Sequence, residues 1–263
     1  MGGGAAGKPH RQGLRDLLAA EPARTPLIAS RDNETLKLAR KLLGARKHRS
    51  EQGLFAAEGE DLVAAARAAG IEPVHLLVEG ETVAEGLLAT VSTLAHPARA
   101  IGLYRAADLP RGERAICLAL HNLVDPGNVG TLLRTADAFG ASVALSPSCA
   151  DPLSPKALRA SAGAIFRVPL VAWDDAPGPR VALVVRGGEP LAEVAARIGP
   201  RVTFLLGAER EGLPDEVAGA AVRATIPLPG AAESLNVAAA GAIALYEAAR
   251  AASQTQIMSS SSS

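Results

Sequence analysis

Three polar segments, each following a short apolar run, hold the side chains of this sequence that could do chemistry. The first, residues 121–130, follows AICLAL and contains Asn128, with Arg134 six residues further on. Asn128 is predicted to cap a helix, and six residues are nearly two turns, which would put Arg134 close to the same face. The amide and the guanidinium are donors for hydroxyl and phosphate groups. The alternative is a plain helix cap and a solvated arginine, because Asp-Pro-Gly-Asn is ordinary turn sequence.

The second segment, residues 207–214, follows VTFLLG and holds an acidic cluster between two glycines. Gly207 and Gly212 allow close approach of the backbone to a ligand. Glu209 can accept hydrogen bonds from hydroxyl, amine or guanidinium groups. The alternative is a strand-to-helix turn whose acidic residues decorate a helix start.

The third segment, residues 229–236, follows ATIPL and precedes an alanine-rich helix. Ser234 is predicted to be the N-cap of that helix, which would be a purely structural role. Glu233, Ser234 and Asn236 nevertheless place three polar side chains at one helix mouth, more than capping requires. The small residues at 238–242 predict close packing of this helix against another backbone, in the same chain or in a second subunit.

The sequence predicts an α/β fold for the elements that position these segments. From residue 115 onward, short runs rich in Val, Leu and Ile alternate with helical patterns. Strands that are apolar on both faces and alternate with helices predict a parallel sheet covered on both sides. In such sheets ligands bind beyond the carboxyl ends of the strands, where all three segments lie.

A smaller α/β unit is predicted at residues 31–108, ahead of this sheet. Residues 31–50 predict one basic amphipathic helix. A strand and a helix ending at Gly70 follow, then a strand at VHLLVEG and another helix over residues 84–90. The segment 107–113, with its Pro and Gly, is the predicted linker.

The charge distribution is uneven although the chain of 263 residues is neutral, with 27 Lys+Arg and 27 Asp+Glu. Residues 1–50 hold 11 basic and 4 acidic residues, net +7, so the remainder is net −7. Neutrality excludes a uniformly basic nucleic-acid-binding protein, whereas the basic segment indicates an anionic partner. A hydrophobic fraction of 48% suffices for a core built from aliphatic residues, since only 7 residues are aromatic.

Several classes of protein are excluded by what the sequence lacks. It has no G-x-G-x-x-G after a strand, as a nucleotide-dependent dehydrogenase would require, and no P-loop or G-x-S-x-G sequence. Two cysteines exclude a disulfide framework and a four-cysteine zinc site, and the five histidines lack metal-ligand spacing, so no metal is expected. The absence of a long apolar run and of a secretory signal predicts a cytoplasmic protein. Residues 1–30 and 253–263 are predicted to be disordered.

The three segments together, DPGNVGTLLRTADAFG, FLLGAEREGLPDEV and IPLPGAAESLNVAAAGAIALYEA, resemble the three motifs of the SPOUT-class RNA 2′-O-ribose methyltransferases of the TrmH-like branch. The resemblance implies an α/β-knot catalytic domain at residues 115–252, with a deep trefoil knot, a homodimer and S-adenosylmethionine as cofactor. Residues 31–108 resemble the L30e-like substrate-binding domain of ribosomal-RNA members. That favours 23S ribosomal RNA as the substrate over tRNA, while a non-catalytic ribosome-assembly protein stays open as an alternative.

The resemblance also implies which residues act. The catalytic set is Asn128, Arg134, Glu209, Ser234 and Asn236. The cofactor-binding set is Leu206, Gly207, Ile226, Leu228, Leu235 and Asn236. The predicted contacts to RNA phosphates in the basic segment are Arg40, Lys41, Arg46, Lys47 and Arg49. Arg134 is either the base that accepts the hydroxyl proton or a group that orients the ribose through the adjacent phosphate. The second role suits a side chain that normally stays protonated.

Overall fold

The chain divides into two compact units, with the boundary between Asp108 and Leu109. The structure is a computed structural model that describes residues 27–260, with side chains as far as residue 254. The predicted disorder of residues 1–26 and 261–263 therefore concerns parts of the chain outside the described residues.

The first unit is a small sheet packed against helices. Its elements are α1 Glu34–Gly44, α2 Arg46–Gln52, β1 Leu54–Glu58, α3 Glu60–Ala68, β2 His75–Val78 and β3 Ala100–Arg105, with 3-10 helices at Leu88–Thr90 and Ala106–Asp108. The strands are antiparallel in the order β1-β3-β2. Leu36, Leu42 and Leu43 of α1 share a buried cluster with Ile101 and Leu103 of β3. The apolar stripe of α1 thus forms the core of this unit.

The basic segment forms two helices, where the sequence predicted one. Ala45 is extended (φ −135°, ψ 139°) and separates α1 from α2. The second helix folds back so that Arg49 Nη1 donates a hydrogen bond of 2.5 Å to the Leu42 carbonyl in the last turn of α1. A carbonyl there has no partner within its own helix, and a cation at a helix C-terminus is stabilising. Arg49 is 6% exposed.

Three further expectations for the elements differ from the structure. Residues 84–90 do not form a helix, because Gly86 is left-handed (φ 80°) and interrupts it, leaving the 3-10 helix at Leu88–Thr90. The predicted N-terminal disorder does not extend to residue 30, since Ile28 exchanges backbone hydrogen bonds of 2.9 Å with Thr82 and Ala84. The predicted tail does not begin at residue 253, since the last helix continues to Ser260.

The second unit carries a seven-stranded sheet. Its strands are β4 Ile116–Leu120, β5 Ser142–Leu145, β6 Leu170–Ala172, β7 Arg180–Leu183, β8 Glu189–Pro190, β9 Val202–Leu206 and β10 Val222–Thr225. Its helices are α4 Pro126–Ala138, α5 Pro155–Ser161, α6 Leu191–Ile198, α7 Asp215–Gly219 and α8 Val237–Ser260, with 3-10 helices at Ala164–Phe166 and Trp173–Asp175.

The sheet of the second unit confirms the predicted fold class. Its order is β6-β5-β4-β9-β7-β10-β8, and every strand pair is parallel. All five residues of β9 are buried, as expected for a strand covered on both faces. The chain proceeds outward from β4 through β5 and β6, then returns to place β7, β9 and β10 on the other side. The order of the sheet therefore reverses at β4, where α/β sheets open a crevice.

The small residues of α8 serve packing within the chain. A Cβ added at Gly241 would collide with the Leu132 side chain of α4 and approach Leu206 Cδ1 at 3.1 Å. Leu245, one turn further along α8, is fully buried. The glycine therefore lets α8 lie close to α4 and to the end of β9.

Candidate active site

The three polar segments meet at the carboxyl edge of the second unit's sheet. β4 and β9 are neighbours in register, with Leu120 opposite Leu206, so the segments that follow them start side by side. The His121 amide donates a 2.8 Å hydrogen bond to the Leu206 carbonyl just past the strand ends. The third segment reaches the same edge after β10.

A chain of side-chain hydrogen bonds joins the three segments. Asn128 Nδ2 donates to Glu209 Oε1 at 3.0 Å, and Asn236 Nδ2 donates to Asn128 Oδ1 at 3.2 Å. Asn236 Oδ1 in turn accepts from the Ala238 amide at 2.9 Å. Three of the five predicted catalytic residues, separated by up to 108 positions in sequence, are therefore brought together.

The first helix of the site is capped by Asp125, and the prediction that Asn128 caps it is wrong. The Asp125 side chain accepts from the Gly127 amide at 2.8 Å, and Pro126 occupies the first helical position. Asn128 lies within the first turn, which frees its amide for Glu209. Lys156 Nζ lies 2.7 Å from Asp125 Oδ1. The Lys156 ammonium and the Gly127 amide hold the pKa of the Asp125 carboxyl below its usual range.

Replacing Asp125 with alanine is expected to lower the free energy of unfolding by about 1 kcal/mol, the usual cost of losing an N-cap. Because the pKa of Asp125 is lowered by folding, its contribution is present above the unfolded pKa and is lost as the pH falls through the folded pKa. Urea unfolding at neutral and acidic pH measures both effects. Asp125→Asn keeps a capping acceptor and loses the charge, so it is expected to be the milder change. Equal losses for the two variants at neutral pH would contradict capping as the main role.

The helix after the third segment is capped by Asn236, which corrects the prediction for Ser234. α8 begins at Val237, and Asn236 Oδ1 accepts from the amides of Ala238 and Ala239 at 2.9 and 3.4 Å. Ser234 lies two residues too early to cap the helix. It is exposed, and its hydroxyl has no hydrogen bond within the described part of the chain. Asn236 thus both caps α8 and holds Asn128.

A cavity of about 420 Å³, called the first cavity here, opens beside this hydrogen-bond chain. Its volume lies within the roughly 300–1,000 Å³ typical of small-molecule sites. All six residues predicted to bind the cofactor line it: Leu206, Gly207, Ile226, Leu228, Leu235 and Asn236. Glu209 and Ser234 line it as well. The walls are mostly aliphatic, and the polar groups lie on the side of the second and third segments.

Sequence reasoning missed one wall of the first cavity. Leu183, Val184 and Val185 line it from the end of β7, which is the neighbour of β9 in the sheet. Val185 is 58% exposed, an unusual position for a large aliphatic side chain. The apolar run VALVV, residues 181–185, predicts a strand, but it carries no polar side chain that would indicate a place in the site.

Gly207 is the point at which the second segment turns back on itself. A Cβ added there would collide with the backbone of Gly212 and Leu213. Ala208 and Gly212 exchange backbone hydrogen bonds of 3.0 Å in both directions, which closes the loop that carries Glu209. Only glycine allows the two backbone segments to come this close.

Arg134 does not join the other predicted catalytic residues. It does not line the first cavity. It is exposed and makes no hydrogen bond or ion pair inside the described residues 27–260. Six residues turn an α-helix through about 600°, so Arg134 lies about 120° around α4 from Asn128. The expectation that both share one face is therefore wrong, and Arg134 is not part of the wall of its own chain's first cavity.

In the first unit, the predicted RNA contacts separate into two groups. Arg40, Lys41, Arg46 and Lys47 are exposed. Arg49 is buried and hydrogen-bonded to Leu42, so it is removed from the RNA-binding set. The face of the helix that carries a cationic residue thus decides whether its side chain is exposed or buried in this basic segment.

Among the described residues, no group of three His, Cys, Asp or Glu side chains could hold a metal ion. No helix there is both long and apolar enough to cross a membrane. Both cysteines, Cys117 and Cys149, are buried free thiols.

The two units resemble different known domains. Residues 115–246 match the model of the SpoU rRNA Methylase family, and residues 33–104 match the MRM3-like substrate binding domain. The 23S rRNA (guanosine(2553)-2'-O)-methyltransferase RlmP of Bacillus subtilis is 30% identical over 249 residues, covering 83% of this chain and 97% of that protein.

Two further similarities differ in how much they cover. Ribosomal RNA small subunit methyltransferase G 2 of Syntrophobacter fumaroxidans is 38% identical over 163 residues, which are 59% of this chain and 32% of that relative's length. The crystal structure of the AdoMet-bound rRNA methyltransferase from Sinorhizobium meliloti is similar with a TM-score of 0.74 and 31% identity, covering 87% of this chain and 98% of that one.

Proposed function

The chain belongs to the SpoU rRNA methylase family, and on that basis we propose that it transfers a methyl group from S-adenosylmethionine to a ribose 2′-hydroxyl of 23S ribosomal RNA. As a member of the family it is an RNA methyltransferase with S-adenosylmethionine as its cofactor. The observation that carries the proposal is the Glu209–Asn128–Asn236 hydrogen-bond chain, which joins all three polar segments beside the first cavity.

The residues of the first cavity fit this cofactor. Its aliphatic walls at Leu206, Ile226 and Leu228 suit an adenine ring, while backbone groups at the strand ends are available to the polar edge of the base. Gly207 lines this cavity, and its lack of a side chain lets the Gly212 and Leu213 backbone close the loop beside it. When bound, S-adenosylmethionine supplies an electrophilic methyl group on a sulfonium centre.

The chain's own residues align the acceptor hydroxyl. A displacement at a methyl group depends on holding the oxygen in line, and positioning of this kind lowers the barrier without a metal. Asn128 is fixed between Glu209 and Asn236, two residues that line the first cavity, and orients the ribose from there. Arg134 supplies a cationic guanidinium that orients the nucleotide through one of its flanking phosphates. The 2′-hydroxyl proton leaves to water at the open rim.

The position of Arg134 supports a homodimer as the active form. It is exposed and does not line the first cavity of its own subunit. In a two-fold symmetric dimer, Arg134 of one subunit serves the cofactor cavity of the other. Tyr246, a large side chain of α8 that is 55% exposed, is suited to the same interface.

The first unit is proposed to bind the ribosomal RNA substrate. Four exposed cations, Arg40, Lys41, Arg46 and Lys47, lie on one short stretch of α1 and α2. Contacts from such residues to phosphates add affinity that falls with salt and little choice of sequence. The match of residues 33–104 to a substrate binding domain supports this assignment.

The proposal is tested by methyl transfer. Purified protein with radiolabelled S-adenosylmethionine is expected to label a 23S rRNA transcript at one site, and to protect the bond after that nucleotide from alkaline hydrolysis. A transcript with a 2′-deoxynucleotide at the mapped site is expected to accept no methyl. Labelling of tRNA instead would transfer the proposal to tRNA. Absence of cofactor binding by calorimetry would favour a non-catalytic assembly protein.

A further inference from the structure

A second cavity of about 490 Å³ lies beside the first. Asn122, Val124 and Asp125 of the first polar segment line one side of it, and the second polar segment lines the other. Ala208, Glu209 and Arg210 line both cavities, so this short stretch of loop is their common wall. Asn128, which also lines the second cavity, is therefore reached from this side.

Three of the four charged residues that line the second cavity are acidic, Asp125, Glu209 and Glu211, and two of these three are already engaged. Asp125 is paired with Lys156 at 2.7 Å, and Glu209 accepts from Asn128. Among the described residues that line the two cavities, Arg210 is the single cation. Its side chain is exposed and makes no hydrogen bond or ion pair within the described part of the chain. An anion that enters the second cavity thus has one guanidinium available to it.

The second cavity also offers an apolar contact that is held rigidly. Val124 is 68% exposed although it lies in a polar segment. Its neighbour Leu123 is fully buried, and the Leu123 carbonyl accepts from the Ala150 amide at 2.7 Å. The Asn122 amide, in a left-handed conformation (φ 54°), donates to Ser146 Oγ at 3.0 Å. Because these hydrogen bonds anchor Asn122 and Leu123, the loop holds the Val124 side chain in an exposed position.

We propose that the second cavity binds the acceptor nucleotide of the RNA, with Arg210 holding one of the two phosphates that flank it and Val124 packing against its base. This inference rests on the proposed function and names the residues that recognise its substrate. A nucleotide consists of a phosphate, a base and a ribose. The second cavity offers a partner for each: Arg210 for the phosphate, Val124 for the base and Asn128 for the ribose. The base contact carries no hydrogen-bonding code, so recognition of the base through Val124 is by shape.

A phosphate is favoured over the carboxylate of the cofactor as the partner of Arg210. The second cavity carries Asp125, Glu209 and Glu211, and an RNA backbone entering such a surface is repelled unless a cation compensates it. Arg210 is the residue in position to do so. A guanidinium also matches phosphate oxygens in a two-pronged geometry.

Two equilibrium measurements on Arg210→Gln test the proposal. The first is the Kd for S-adenosylmethionine by calorimetry without RNA, which is expected to stay within twofold of the wild type. The second is the Kd for an unmodified 23S rRNA transcript in the presence of S-adenosylhomocysteine, which is expected to rise about tenfold, as for loss of a charged hydrogen bond. The slope of log Kd against log salt is expected to fall by about one. Arg210→Lys should retain that slope.

Matched variants make the outcomes decisive. Arg223→Gln removes an exposed arginine that lines neither cavity and is expected to change neither Kd. Val124→Ser is expected to weaken RNA binding without changing the salt slope, because no charge is removed. A tenfold weaker cofactor Kd for Arg210→Gln, with RNA binding unchanged, would overturn the proposal in favour of the cofactor carboxylate. Unchanged values for both ligands would overturn it outright. Both readouts are independent of turnover, so failure of methyl transfer by the wild type would count against the proposed function alone.

Discussion

Arg134→Ala is expected to lower the rate of methyl transfer about 10²- to 10³-fold, the usual effect of removing one positioned charged donor from a reacting centre. Binding of S-adenosylmethionine to the free protein is expected to be unchanged, because Arg134 does not line the first cavity. The rate is measured with radiolabelled cofactor and a 23S rRNA transcript, both at saturating concentration. Equal incorporation by wild type and variant would remove Arg134 from the mechanism.

Two companion variants sharpen that result. Arg111→Ala removes another exposed arginine of the same unit, remote from both cavities, and is expected to retain the wild-type rate. Arg134→Lys keeps the charge but loses the planar guanidinium, so an intermediate rate is expected if phosphate geometry matters. A rate for Arg134→Lys as low as that for alanine would indicate that geometry, more than charge, is what Arg134 supplies.

Gly207→Ala is expected to weaken binding of S-adenosylmethionine about tenfold or more, since forcing an extra methyl group into a packed site typically costs 1–3 kcal/mol. The added Cβ collides with the backbone of Gly212 and Leu213, so the loop that carries Glu209 must move away. Calorimetry without RNA measures the Kd, and thermal unfolding verifies that the variant is folded.

The control for Gly207 is a glycine with room for a side chain. A Cβ at Gly219, the last residue of α7, meets nothing within 4 Å. Gly219→Ala is therefore expected to bind the cofactor as the wild type does. A wild-type Kd for Gly207→Ala would mean that the loop can shift without affecting the cavity, and would contradict the role given to its close backbone contact.

Mixing Arg134→Ala with Gly207→Ala tests whether sites are shared between subunits, provided that the cofactor concentration is well below the Kd of Gly207→Ala. A heterodimer of Arg134→Ala and Gly207→Ala contains one intact cavity, in the subunit that lacks Arg134. If Arg134 is supplied by the partner, that cavity is complete, and random assortment of equal amounts restores about a quarter of the wild-type activity. If each subunit uses its own Arg134, no site is complete and no activity returns.

The architecture of the second unit was predictable because it depends on local patterns. Runs such as VTFLLG, in which Thr203 is the one polar residue, are typical of a strand buried on both faces, and helical segments separate them. That is sufficient for a parallel sheet with ligands at the carboxyl ends of its strands. The three polar segments followed from the same rule, and the structure brings Asn128, Glu209 and Asn236 together.

Capping residues were predictable in kind but not in position. Asp125 and Asn128 are three residues apart, and both are good N-caps, as are Ser234 and Asn236. The choice depends on where the backbone enters the helix, which the preceding strand and its neighbours decide. Asp125 and Asn236 have that position, and Asn128 is consequently free to bond to Glu209.

By itself the sequence determined the fold class, the basic segment and the residues of the three loops, because these follow from periodicity and composition. The tertiary structure alone decided the neighbours: β9 beside β4, Arg49 buried against the last turn of α1, and Arg134 outside the wall of its own subunit's first cavity. It also decided that Arg210 is the one cation in the described walls of two adjoining cavities. Local patterns state which face of an element is apolar, whereas the partner of that face is set by the packing of the whole chain.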